Sequence, residues 1–101
     1  MSQASVLLGG PGEIRLVGVI DYRTGPALRK QGADLIKASD APALVIDCAG
    51  VEKSSSVGLA LLLGFMRDGA AAGKTVSVRA LPEDMQEIAK VSELTELLQH
   101  H

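Results

Sequence analysis

The sequence predicts a single α/β domain: a small central sheet of about four strands flanked by helices, in the order β-β-α-β-α-β-α with a short C-terminal helix. Three observations lead there. Short β-branched runs, Ala43-Leu44-Val45-Ile46-Asp47 the clearest, alternate with longer stretches whose apolar residues recur at helical spacing. Glycine and proline punctuate the junctions between them. The length, 101 residues, supports one modest core and not two.

Taken in order, Ala4 to Gly9 is a short apolar run that reads as an edge strand, and Gly9-Gly10-Pro11-Gly12 supplies a tight hairpin turn. A phosphate loop would need Gly-Lys-Ser/Thr next and a helix after it, and neither follows. Glu13 to Asp21 is the second strand, with Ile14, Leu16, Gly18 and Ile20 on one face. Gly18 in mid-strand points to a bulge or a close neighbour. Thr24 is positioned as an N-cap with Pro26 in the first turn, and the helix it opens runs to about Ala38. Leu28, Leu35 and Ala38 are expected inward, with Arg29, Lys30, Asp34 and Lys37 in water.

After the break at Asp40-Ala41-Pro42, the run Ala43 to Asp47 has the continuous apolar character of a central strand covered on both faces. A polar turn leads to a long helix from about Ser56 to Ala72, stopped by Gly73. Thr75 to Arg79 alternates as a half-covered strand. Pro82-Glu83-Asp84 opens another helix with acids in its first turn and Met85, Ile88 and Ala89 inward. Ser92 caps or kinks a last segment, where Leu94, Leu97 and Leu98 dock.

The long helix is the focus of the chain because it has two apolar faces. Leu59, Leu62, Leu63, Met66 and Ala70 form the stripe expected to anchor it on the sheet. Around the back lie Val57, Leu61, Gly64 and Asp68, flanked by Ala60 and Phe65, where a surface helix should be polar. Either another helix of the same domain covers this face, or it is a docking surface for a partner protein. Burying one leucine of this face in a partner contributes roughly 1.5–3 kcal/mol. Ser54, Ser55 and Ser56 stand at the mouth of the helix. As caps they are worth about 1 kcal/mol. A phosphate on Ser56 would put nearly two negative charges at the positive helix end.

Other function classes lose ground on composition. The net charge of −2 leaves no basic footprint for nucleic acid, and one Tyr, one Phe and no Trp leave no stacking platform. The longest apolar run, Val57 to Met66, is about half a membrane span. A single cysteine and the absence of a recognisable signal peptide lead us to expect a reducing, intracellular setting. Serine catalysis needs a base, and the only histidines are His100 and His101 at the chain end. Neither zinc-ligand spacing nor a CxxC pair is present. Cys48 follows an apolar strand and reads as a small core residue. Asp21 and Asp47 specify no reaction by themselves. The expectation is therefore no enzyme, no catalytic residue, no metal and no cofactor.

Val45-Ile46-Asp47 followed nine residues on by Ser56-Val57-Gly58-Leu59, in this order of elements, resembles the STAS domain family across essentially the whole chain. The resemblance implies a small mixed sheet. The family's anti-sigma factor antagonists carry Asp-Ser-Ser/Thr-Gly-Leu-Gly at this turn, with the first serine phosphorylated by a partner kinase. Here Ser55 replaces the aspartate, Ser56 holds the phosphoacceptor position, and Gly58-Leu59 match. Gly58-Leu59-Ala60-Leu61-Leu62-Leu63, Gly73-Lys74-Thr75-Val76 and Ile88-Ala89-Lys90 with a Leu-rich ending are similar to the MlaB-like branch. Those proteins are cytoplasmic accessory subunits that bind the ATPase of an ABC transporter moving phospholipids between the two membranes of Gram-negative bacteria, maintaining outer-membrane lipid asymmetry. The resemblance implies Ser54, Ser55, Ser56, Val57, Ala60, Leu61 and Gly64 as partner-contact residues. The partners it implies are the ATPase subunit and, through it, the permease, with a second copy as an alternative in isolation. The rival expectation is an anti-sigma factor antagonist switched at Ser56; a third is a domain binding a small anion at the Ser54 to Ser56 helix end.

Overall fold

The computed structural model describes residues 4–53 and 56–91. Over these the order of elements is β1 (Ala4–Leu8), β2 (Glu13–Val19), α1 (Gly25–Ala38), β3 (Ala43–Lys53), α2 (Ser56–Ala71), β4 (Thr75–Arg79) and α3 (Glu83–Val91). Ser92 and the leucine-rich ending expected as a terminal helix lie outside the described residues. The four strands form one mixed sheet in the order β1-β2-β3-β4. β1 and β2 are antiparallel, joined by the glycine turn, in which Gly9 N–H donates to Glu13 O (2.9 Å) and Gly12 takes φ +72°. β2, β3 and β4 are parallel, so α1 and α2 are the crossovers that parallel pairing requires.

Alternate strand residues decide which face the helices cover. Ile14 and Leu16 on β2, Leu44, Ile46 and Cys48 on β3, and Val78 on β4 are buried, and Phe65, Leu62 and Leu59 of α2 close over them with Leu28 and Ile36 of α1 and Met85 of α3. Fully burying each such side chain stabilises by roughly 1.5–3 kcal/mol. Gly18 (φ +98°) marks the bulge expected there, where the β2–β3 register shifts between Gly18 and Val19. Gly73 (φ +74°) ends α2, and Lys74 N–H returns to Gly69 O at 2.8 Å in a glycine-terminated cap. The Lys74 amine then donates to Ile36 O and Ser39 O, satisfying carbonyls at the α1 C-terminus and tying it to the start of β4.

Four expectations need correction. β3 is central, but only one of its faces is covered by the described residues. Val45 and Asp47 stay partly accessible, and the row Arg15–Asp47–Arg79 crosses three strands on that side. Arg79 Nη2 donates to Asp47 (2.8 Å) and Glu13 (2.7 Å), and such charges stay near water because burying them is costly. β3 also continues six residues past Asp47, carried by pairing with β2 alone. Thr24 occupies the N-cap position of α1 without a side-chain cap: its hydroxyl accepts from Asp21 N–H and faces the end of β2. Asp21 caps the turn instead, accepting from the N–H groups of Arg23 and Thr24. On α1 the inward stripe is Gly25, Leu28, Gly32 and Ile36, while Leu35 is half-buried and Ala38 exposed.

α2 explains the last of these differences. Its sheet-side stripe holds Leu59 and Leu62 as expected, with Leu63 and Met66 partly buried and Ala70 exposed. The other apolar face, at Leu61, Gly64 and Asp68, is covered by α1. A Cβ on Gly32 would lie 2.3 Å from the Phe65 ring, and one on Gly64 would lie 2.3 Å from Arg29 Nη1. Gly32 thus sets a short approach between the helices, and Gly64 leaves room for Arg29 to lie across α2.

Candidate functional site at the α1–α2 groove

The covering of α2 by α1 is incomplete at the N-terminal end. A shallow open groove of about 350 Å³ remains there, lined by Tyr22, Gly25, Pro26, Arg29, Val57, Ala60 and Leu61. Gly25 permits the close packing at its base, since a Cβ there would sit 3.1 Å from Val57 Cγ1. Pro26, in the first turn of α1, presents its ring where no N–H is needed.

The sequence-predicted contact residues fall unequally on this surface. Ser56 is exposed as the first residue of α2, Ala60 is exposed, and Val57 is half-buried. Leu61 forms part of the groove but is only 5% exposed, and Gly64 is buried beneath Arg29. Ser54 and Ser55 lie outside the described residues. The structure therefore brings Val57, Ala60 and Leu61 into one groove, places Ser56 one residue before it, and assigns Gly64 to helix packing.

The half of the groove contributed by α1 and the loop before it was not found in the sequence. Tyr22 is 76% exposed beside the groove, with the Arg23 guanidinium 5.8 Å from its ring centre. Arg29 crosses to α2 and makes a two-pronged contact with Asp68, Nε to Oδ2 at 2.8 Å and Nη2 to Oδ1 at 2.9 Å. That contact holds the Asp68 carboxyl below its ordinary pKa and raises that of Arg29. Asp21, at the loop's start, is likewise lowered, first by the Arg23 N–H and then by that of Thr24. The available signals were a lone tyrosine and a Gly-Pro pair opening a helix, neither of which specifies a contact with α2 from sequence.

Chemically the groove offers apolar walls and a guanidinium. Among the described residues no group of three or more His, Cys, Asp or Glu is arranged to hold a metal ion. Cys48 is buried away from the groove, and burial followed by the nearby Asp47 charge pushes its thiol up to about 12. It stays protonated at neutral pH, which removes it as a nucleophile.

Comparison with known proteins identifies the family and the fold. The family model described as MlaB, STAS domain, matches residues 6–99. The chain belongs to the STAS domain family. Its fold is shared with a chain of the Acinetobacter MlaFEDB complex in an ATP-bound conformation, at TM-score 0.80 and 24% identity over 92% of this chain and 95% of that one. It is also shared with the anti-sigma factor antagonist SpoIIAA in its unphosphorylated form, at TM-score 0.71 and 18% identity over 93% and 84%. An anti-sigma factor antagonist from Mycobacterium paratuberculosis matches at 0.68 and 27% identity over 97% and 83%. No curated relative matches the sequence. In this STAS domain, Ser56 is exposed at the start of α2, and the Gly58-Leu59 pair that follows it in sequence is buried. Among the described residues no helix is long and apolar enough to cross a membrane.

Proposed function

We infer that this STAS domain is a non-enzymatic accessory subunit that binds and supports the ATPase of an ABC transporter moving phospholipids between inner and outer membrane. It would act in the cytoplasm, peripheral to the inner membrane through that complex. The observation that carries this reading is the match of the MlaB family model along residues 6–99. The near-complete mutual coverage with a chain of the MlaFEDB complex supports it. So does Ser55 at the position where the antagonists carry aspartate, a residue of their recognition motif. Ser54, Ser55, Ser56, Val57, Ala60 and Leu61 form the contact, with Gly64 beneath them leaving room for Arg29 to cross to Asp68. The test is affinity purification from the native membrane with identification of the bound proteins: an ABC ATPase with its permease supports the reading, and their absence contradicts it.

A second reading, an anti-sigma factor antagonist switched by phosphorylation, draws on the exposed hydroxyl of Ser56 at the positive end of α2 and on the two antagonist folds. Incubation with the host's serine kinases followed by intact-mass measurement separates the two, since the accessory-subunit reading expects no added phosphate.

A further inference from the structure

The groove has a chemistry of its own beyond a contact at the start of α2, and most of it comes from α1. Arg29 uses only part of its donor fork on Asp68. Its Nη1 group, lying over Gly64, has no hydrogen-bond partner among the described residues. A guanidinium carries five N–H donors, so about three remain for an outside acceptor. The positive charge, by contrast, is already met by Asp68. What Arg29 offers a partner is directional donors rather than a net charge. Next to it, Pro26, Val57 and Ala60 make an apolar slot, and Tyr22 stands 76% exposed beside it, an amphipathic ring that gains by being covered.

A slot of this kind selects its occupant. A free carboxylate would meet a guanidinium whose charge is already neutralised, and a purely apolar segment would strand the donors. The C-terminal turn of a helix satisfies both halves. It carries up to four carbonyls without intrahelical partners and only a partial negative charge, and its side chains supply the apolar filling. We propose that the groove receives the C-terminal turn of a helix of the transporter ATPase subunit, an aliphatic side chain entering between Pro26, Val57 and Ala60 while its terminal carbonyls accept from Arg29 and Tyr22 closes over it. This rests on the ATPase-binding reading above and adds to it the partner element and the residues on α1 that recognise it.

The test is a set of affinities for the purified ATPase subunit of the host transporter, measured by biolayer interferometry alongside thermal unfolding of each variant. Tyr22→Ala, a change at an exposed side chain, weakens binding tenfold or more, as truncation of an anchoring tyrosine does. Arg29→Lys keeps a cation for Asp68 but loses the fork, and also weakens binding by about tenfold. Asp68→Asn breaks the same interhelix ion pair yet leaves the outward donors in place, so its affinity stays within about threefold of wild type. Arg15→Ala, on the opposite face of the sheet, has no effect. Equal losses in Arg29→Lys and Asp68→Asn would reduce Arg29 to a helix-packing role and overturn the proposal. Binding that is sensitive to Ser56→Glu but indifferent to Tyr22→Ala and Arg29→Lys would overturn it too, while leaving the accessory-subunit reading standing. A wild-type protein that ignores the ATPase removes both. Light scattering that shows a dimer dissolved by Tyr22→Ala, with no ATPase binding, would assign the groove to a second copy instead.

Discussion

The Arg29 guanidinium lies over Gly64 while gripping Asp68 one turn further along α2, so a missing side chain makes room for an interhelix ion pair. A Cβ at position 64 would fall 2.3 Å from Nη1, but that atom is the end of a flexible, half-exposed side chain. Gly64→Ala therefore moves Arg29 rather than α1. The ion pair is worth at most about 1 kcal/mol at this exposure, and alanine regains about 1 kcal/mol of helix propensity. Little net change in the urea midpoint is expected, together with a measurable loss of affinity for the partner.

Gly32→Ala has the same local chemistry and the opposite outcome. Its Cβ would meet the Phe65 ring at 2.3 and 2.4 Å, and Phe65 is fully buried with nowhere to turn. Overpacking of about 1–3 kcal/mol outweighs the roughly 1 kcal/mol gained in propensity. Urea denaturation should show a net loss of up to about 2 kcal/mol, and a stability above wild type would mean that the helices can move apart.

The Asp68 carboxyl is depressed chiefly by its hydrogen bonds from Arg29. A carboxyl with a lowered folded-state pKa binds fewer protons folded than unfolded, so its contribution is present above the unfolded value of about 3.8 and is lost as pH falls through the folded one. Between pH 7 and about pH 5 the stability difference between wild type and Asp68→Asn should hold constant. Below about pH 4 it should shrink toward zero. A difference that does not fall at all as pH drops below 4 would show that Asp68 does not titrate with folding.

Cys48 tests the core beneath the site. With burial pushing its thiol to about 12, labelling by a thiol reagent at pH 8 should proceed only through opening of the fold, and reach completion at once in denaturant. Prompt labelling of the native protein would mean that β3 is not covered as described.

Ala60 and Leu61, adjacent on α2, should separate function from stability. Leu61 is 5% exposed, so Leu61→Asp buries an unpaired charge and lowers the melting temperature sharply. Ala60 is exposed in the groove, so Ala60→Glu should leave unfolding nearly unchanged while abolishing partner binding. Circular dichroism melts paired with binding assays read both.

Much of this fold is legible in the sequence because each element carries its own signal: the apolar run of β3, the Gly-Pro turn after β1, the acids opening α3. The end of β3 is not, since Ala49-Gly50-Val51-Glu52-Lys53 has no alternation and is held by β2 pairing alone. The α1–α2 contact is not legible for a different reason. Gly25, Gly32 and Gly64 read as weak helix formers, and only the facing Val57, Phe65 and Arg29 reveal them as contact points. The site divides in the same way. Val57, Ala60 and Leu61 follow from periodicity and family resemblance within one helix, whereas Tyr22, Pro26 and Arg29 join them from an element some thirty residues away in sequence.

ATPase binding through the α1–α2 groove is tested by co-expression of the protein with the host's lipid-transporter ATPase, followed by size-exclusion chromatography of wild type and Ala60→Glu. Wild type is expected to form a stable complex, and Ala60→Glu to be folded but unbound. A folded wild-type protein that elutes apart from the ATPase, or an Ala60→Glu variant that still travels with it, would contradict binding through this groove.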